Sequence, residues 1–577
     1  MMLKHKIGDK LVIVNNVGGH GFPNGTTVVV EELYENENPP NYLAHKLHDE
    51  KEYWYVYDNE VKPLELAIRE EKVKKAQKTT FPSTLLCDFY KVSHKAQYPE
   101  GTEMIYSTWT PRASKYIKGV NEVVAFGIQG FVKEYLIDYF NEHFFARNKE
   151  EVVAEYERYL KFALGDNNPD SSHIAELHDL GYLPIAVNAI KEGVKVPIRV
   201  PMIEVYNTDN RFFWLTNYLE TLMSAEIWQP MTTATIAYQY RKLLDEYAMK
   251  TVGNTDAVGF QAHDFSLRGM AGLHAGAKSG AGHLLSFEGT DTIPAIAYLE
   301  KYYNANIEEE LVGASINATE HSVMCANTVI DGDSDRDEYE AFKRLITEVY
   351  PDGLMSIVSD TYDFWKVVSE TLPKLKEDIM NRDGKVVIRP DSGDPVKILC
   401  GDKDATDPYV KAGLVECLWN IFGGTETEKG YKLLDPHIGA IYGDSITLER
   451  AEEIVKQLEQ KGFASINVVL GVGSYSYQYT TRDTFGFAMK ATYAVINGEE
   501  KMLFKDPKTD DGTKRSQRGI VFVHEDDNGK IVYKDGLNMD EFDSYSKKHV
   551  DLLETVFKDG ELVKDLSLGE IRRTLRG

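Results

Sequence analysis

Residues 386–395 read VVIRPDSGDP, a β-branched apolar run that passes into Arg389, Pro390, Asp391, Ser392 and Gly393. A strand with that ending presents a charged pair at its carboxyl end. Asp391 can accept two ribose hydroxyls, and Arg389 can donate to a phosphate or carbonyl or lie over an aromatic face. An internal Arg–Asp pair closing the end of a sheet is the alternative. GVGSYS (471–476) follows the apolar run INVVL. Glycines after a strand let backbone N–H groups approach a phosphate, or simply make a turn. Arg482, in YTTRDTF, would complete a monophosphate site. HDFSLRG (263–269) sets His263, Asp264, Phe265 and Arg268 close together. Arg268 would meet a phosphate and Phe265 a flat ring, or the stretch is a capped helix start with a core Phe. FEGTDT (287–292) holds Asp291 in a glycine-containing turn, as a ligand or as a helix cap.

ASINATEHSV (314–323) offers Ser315, Glu320 and His321. A lone histidine is commonly structural. Asp360, at the end of another apolar run, gives this one a carboxylate partner that would fix its tautomer and leave the second ring nitrogen nucleophilic. MLFKDPKTDDGTKRSQRG (502–519) gathers Lys505, Lys508, Lys514, Arg515 and Arg518. This is a polyphosphate-binding loop or a solvated hairpin.

The elements that position these residues alternate. LMSIVSDTYD (354–363), KVVIRPDSGD (385–394), GAIYGDSIT (439–447) and INVVLGVGSYS (466–476) each read as a strand ending in polar residues. Helical stretches such as 342–350 and 447–462 lie between them. That alternation predicts parallel strands with helical crossovers and a site at the strands' carboxyl ends. Two further helices are expected over 210–228 and 234–250. The first 65 residues are short β-branched or aromatic runs punctuated by GGHGFPNGT and ENENPPN. They predict a small SH3-like β-barrel. The expected organisation is that barrel over 1–65, a linker over 66–81, an α+β part over 82–230, and an α/β barrel with C-terminal segments over 231–577.

The 577 residues are 42% apolar and 27% charged, a globular composition. A net charge of −26 opposes nonspecific nucleic-acid binding and makes each basic cluster informative. No apolar run reaches membrane-spanning length, and the start lacks a signal-type apolar core. Four widely spaced cysteines form no metal pair or disulfide framework, so a cytoplasmic setting is expected.

From residue 82 onward, CDFYKVSHKAQYP, FWLTNYLET, HDFSLRG, FEGTDT, ATEHS, VSDTYD, IRPDSG, YGDSI, TRD, MLFKDP and KRSQRG follow in order. In combination they resemble the nicotinate/nicotinamide (type II) phosphoribosyltransferase family. The resemblance implies an irregular α/β barrel with an α+β domain wrapped on it, and a homodimer with active sites at its interface. It implies the joining of nicotinamide to 5-phosphoribosyl 1-pyrophosphate, giving nicotinamide mononucleotide and pyrophosphate, with Mg²⁺ held through pyrophosphate rather than by protein ligands. ATP is the implied co-substrate, phosphorylating His321, which Asp360 would orient and Glu320 assist. The base would stack between Phe265 and Tyr90 of the partner subunit, with Asp291 on the carboxamide and Ser315 and Arg389 alongside. Asp391, Asp444 and Gly443 would meet the ribose. Arg268, Gly473, Ser474 and Arg482 would hold the 5′-phosphate, and Arg112, Lys490, Lys505 and Lys514 the pyrophosphate or ATP phosphates. GVGSYS lacks the family's longer glycine run, which weakens the case for Ser474. Ser266 and Leu267 stand where the family often has Gly and Tyr. A nicotinate-specific enzyme and an inactive binding protein on this scaffold are the competing readings.

Overall fold

The computed structural model describes residues 4–15, 17–34, 41–47, 49–64, 67, 81–167, 169–328, 338–443, 445–509 and 515–577. It divides into two compact units, 1–85 and 86–577. The expected linker over 66–81 lies outside the described residues except for Ala67 and Phe81.

In the first unit, strands Lys10–Ile13, Thr27–Tyr34, Asn41–Lys46, Asp49–Val56 and Val61–Pro63 form one antiparallel sheet. The last strand pairs back onto the first. Alternation sends Leu11, Ile13, Val28, Val30, Tyr42, Ala44 and Val56 to one interior, a core of its own.

The second unit is built on two seven-stranded sheets. One is antiparallel and interleaves distant segments, in the order Glu499–Met502, Ala488–Ile496, Thr102–Thr110, Ile203–Asn207, Ile185–Ala189, Glu554–Lys558, Glu561–Leu562. The other is parallel, in the order Gly289–Thr290, Ala262–Asp264, Val468–Val472, Ile438–Tyr442, Asp383–Arg389, Asp352–Val358, Asn317–Ala318. Its first strand also bridges in parallel from Gly289 to Ala314, just upstream of its last. That bridge rolls the sheet into an irregular barrel. Val386, Val387 and Ile388 are buried in succession, as a parallel strand covered on both faces requires. The crossover helix Leu448–Gln460 buries Ala451, Ile454, Val455 and Leu458 at helical spacing, and the Thr447 hydroxyl caps it by accepting the Arg450 N–H.

The two helices expected either side of residue 230 are largely one, Glu220–Thr251, which runs through Pro230. Proline removes one N–H and ordinarily ends a helix. Here tertiary packing overrides that preference. Residues 229–237 are all buried, and Gly127 and Gly282 let neighbouring backbone close on this turn. A Cβ on Gly127 would lie 2.7 Å from the Pro230 ring. Among the described residues, no helix is long and apolar enough to cross a membrane.

Candidate active site

The carboxyl ends of the barrel strands bring most of the predicted residues together. Phe265 follows Asp264, and its N–H donates to the Val472 carbonyl at 2.9 Å, tying the end of one strand to its neighbour. Asp291 follows Thr290, with its N–H on the Asp264 carbonyl at 2.9 Å. One carboxylate oxygen, Oδ1, accepts from His263 Nε2 at 2.8 Å and from Ser315 Oγ at 2.6 Å. Burial pushes the Asp291 carboxyl up, but those two donors, with the charges of His263 and Arg389, outweigh it and hold it below the usual carboxylate range. Phe265, Leu267, Arg268, Met270, Leu273 and Asp291 line a cleft of about 570 Å³. Gly269 brings the Arg268 turn against the 473–476 turn, where a Cβ would sit 2.0 Å from Ser474 Oγ.

Arg389 ends its strand, with Nη2 donating to the Thr319 carbonyl at 2.6 Å and Nε 3.6 Å from Asp391 Oδ1. The Arg–Asp pair therefore exists, but without the short bidentate geometry of a closed fork. Gly443 lies flat against Asp391, where a Cβ would be 2.2 Å from Oδ1. Asp444 lies outside the described residues.

His321 opens the helix His321–Thr328 and is half exposed. The expected hydrogen bond to Asp360 is not formed: His321 Nε2 is 3.8 Å from Asp360 Oδ1, while Nδ1 is 3.2 Å from Thr361 Oγ1. Asp360 is turned instead toward the Asp391 N–H, which it accepts through Oδ2 at 2.9 Å. Its influence on His321 is electrostatic. Glu320 accepts from the Ser322 hydroxyl.

The cations form a second group, on the antiparallel sheet. Lys490 pairs in register with Thr108, and Arg112 lies two residues beyond that strand's end, so residues distant in sequence become neighbours. Burial pushes the Lys490 ammonium below its usual range. Glu220, 3.8 Å away, opposes this, and the positive charges of Arg112, Lys505 and Arg482 add to it. Arg482 therefore lies close enough to share the electrostatic field of this group. Lys505 and Ser516 bond to each other across the basic loop, and Lys514 lies outside the described residues. Tyr90 is 57% exposed and packs on His94 and Lys91 beside Arg482 and Glu220, with no ring contact to Phe265 within its own chain.

The sequence placed His263 near the site without giving it a task. Its hydrogen bond to Asp291 depends on strand pairing that no local motif reveals. Among the described residues, no cluster of three or more His, Cys, Asp or Glu side chains is arranged to hold a metal ion.

Two family profiles match the chain: the nicotinate phosphoribosyltransferase (NAPRTase) family over residues 260–561, and the nicotinamide phosphoribosyltransferase N-terminal domain over residues 83–187. A nicotinamide phosphoribosyltransferase of Acinetobacter baylyi is 50% identical over 499 residues, 85% of this chain and 96% of that one. One from Mycoplasma pneumoniae is 34% identical over 75% of this chain and 94% of its own length. One from Xanthomonas campestris is 30% identical over 84% and 96%. The crystal structure of human nicotinic acid phosphoribosyltransferase aligns over 85% of this chain and 93% of its own, with a TM-score of 0.47 and 15% identity.

Proposed function

This chain is a phosphoribosyltransferase belonging to the NAPRTase family, and from that premise we propose that it joins nicotinamide to 5-phosphoribosyl 1-pyrophosphate, forming nicotinamide mononucleotide and pyrophosphate in NAD salvage. The observation that carries the choice of base is Asp291. It is held ionised beside Phe265 in the cleft, with Oδ1 occupied by His263 and Ser315. A second carboxylate oxygen is left for the N–H₂ of a carboxamide. Nicotinate would bring a carboxylate against it and be repelled. The relatives named nicotinamide phosphoribosyltransferase support the same choice.

In this reading the pyridine ring lies between Phe265 and Tyr90 of the partner subunit, with Arg389 at the rim. Its nitrogen attacks the ribose anomeric carbon as the bond to pyrophosphate breaks, and the ring becomes a pyridinium. No protein nucleophile takes part. The chain's work is to align the nitrogen and offset charge as it moves to the leaving group. Asp391 grips the ribose, with Asp444 beside it and Gly443 leaving room. Arg268, Gly473, Ser474 and Arg482 receive the 5′-phosphate. Arg112, Lys490, Lys505 and Lys514 receive pyrophosphate, in part across a homodimer interface.

Mg²⁺ bound with pyrophosphate would neutralise the departing charge. Magnesium takes one or two carboxylates together with substrate oxygens. Here it would be held through the pyrophosphate oxygens rather than by protein ligands. ATP is proposed to phosphorylate His321 and so stimulate synthesis, with Asp360 and Glu320 supporting it. A cytoplasmic setting is consistent with four unpaired cysteines. The test is a competition between nicotinamide and nicotinate with Mg²⁺, with and without ATP, in the wild type and in D291S. Nicotinamide mononucleotide should dominate in the wild type, with the preference reduced in D291S. Equal use of both bases by the wild-type enzyme would refute the assignment.

A further inference from the structure

His263 belongs to no step of the transfer, yet it touches both walls of the base cleft. Its Nε2 donates to Asp291 Oδ1 at 2.8 Å, and its ring lies 4.5 Å from that of Phe265, tilted by 34°. The side chain is 11% exposed and fixed in place. It stands on the strand Ala262–Asp264, paired in register with Gly289, and a Cβ on Gly289 would lie 2.9 Å from His263 Nδ1. The glycine therefore leaves the room that the ring occupies. Ser315 donates to the same carboxylate oxygen from the segment that closes the barrel. Two donors on one oxygen fix the rotation of the Asp291 carboxylate, and no residue among those described bonds to its Oδ2. A carboxylate with neither donor would be free to turn, and more easily protonated in a partly buried cleft.

We propose that His263 is the positioning residue for Asp291, and that through this one hydrogen bond it sets the enzyme's preference for a neutral carboxamide over an anionic carboxylate on the pyridine ring. This rests on the reading of Asp291 as the base-recognising group. It adds that recognition needs a donor behind the carboxylate as well as the carboxylate itself. The bond acts on the ground-state grip of the base, so its loss falls on KM for nicotinamide far more than on kcat.

The experiment compares steady-state kinetics of H263F, H263Q and D291N with nicotinamide and nicotinate at saturating 5-phosphoribosyl 1-pyrophosphate. H263F keeps a ring against Phe265 and removes the donor. H263Q keeps an N–H near the position of Nε2. A hydrogen bond to a charged group corresponds to about a tenfold change or more. H263F is therefore expected to raise KM for nicotinamide at least ~10-fold, with kcat within ~3-fold, and to lower the nicotinamide-to-nicotinate ratio of kcat/KM by a similar factor. H263Q should recover most of both. If D291N changes the ratio and H263F does not, the role given to His263 is wrong while the reading of Asp291 stands. If D291N leaves the ratio unchanged, the reading of Asp291 falls first. Should H263F fail to fold, as seen by thermal melting, S315A removes the other donor to Oδ1. A shift in the ratio with S315A, enlarged in H263A/S315A, would sustain the proposal, and no shift in either would end it.

Discussion

At the scale of single residues, the barrel rim separates groups that bind from the group proposed to be modified. His321 is half exposed, and among the described residues its hydrogen bond is to the Thr361 hydroxyl, with Asp360 3.8 Å from its other ring nitrogen. H321A is therefore expected to keep the melting temperature and the basal rate of nicotinamide mononucleotide formation, and to lose the stimulation by ATP. Initial rates with and without ATP check this, and stimulation that survives the substitution would remove phosphohistidine from the mechanism. Asp360 differs in kind. It is 4% exposed and holds the Asp391 N–H, so its replacement would move the turn at Asp391. The sequence singled out Asp360 because it ends an apolar run, and His321 because that carboxylate could partner it. It could not show which of two polar neighbours the Asp360 carboxylate would choose, because that choice depends on the register of Asp352–Val358 against Asp383–Arg389.

At the scale of elements, the four runs at 354–363, 385–394, 439–447 and 466–476 were legible because β-branched residues stop abruptly at polar ones, and the barrel places their strands side by side. The long helix through Pro230 was not legible, since local chemistry reads proline as a stop and only packing from both sides says otherwise. The grouping of Arg112 with Lys490 was equally hidden. It arises from pairing between Thr102–Thr110 and Ala488–Ile496, segments at opposite ends of the fold's sequence. Two predictions belong here. Gly443 abuts Asp391, so G443A must push the carboxylate aside. Misplacing a substrate-gripping group by about 1 Å can cost on the order of 10²-fold in rate, so kcat/KM for 5-phosphoribosyl 1-pyrophosphate should fall at least ~10-fold with little change in melting temperature. In the antiparallel sheet, Glu204 accepts from the Tyr106 hydroxyl and from Asn188 Nδ2 at 2.6 Å. Burial pushes its carboxyl up to about 8, against the lowering effect of those two donors. Above the ordinary glutamate range of about 4.3, the unfolded chain loses a proton that the folded chain keeps until about pH 8. The stability this group contributes is therefore present at acid pH and lost as pH rises through that window. E204Q mimics the neutral acid at every pH. Its melting temperature should approach that of the wild type near pH 5 and exceed it near pH 8.5, by about 1 °C per kcal/mol for a chain of 577 residues. A difference that does not vary with pH would contradict the assignment.

At the scale of the whole molecule, the charge distribution argues for how the site is completed. A chain of net charge −26 must still receive a substrate rich in phosphate. It does so by gathering Arg112, Arg482, Lys490 and Lys505 into one field with Tyr90 at its edge. Phe265, Asp291 and Asp391 are gathered separately, on the barrel rim. Tyr90 makes no ring contact with Phe265 in its own chain, and more than half of its surface is exposed. An aromatic sandwich around the base therefore requires the Tyr90 group of one protomer to face the rim of another. In the proposed two-fold dimer each protomer would give its cations and tyrosine to one site and its rim to the other. Complementation follows from this arrangement. Y90A and D391A, each nearly inactive alone, should regain activity when mixed, dissociated and reassociated, because one site of each mixed dimer then carries both wild-type groups. Random reassociation of equal amounts gives mixed dimers half of the time, so roughly a quarter of the wild-type rate should return. The pair must recover activity only after subunit exchange, as followed by size-exclusion chromatography and product formation. If each variant stayed inactive after verified exchange, the two groups would act within one chain and the shared site would be abandoned.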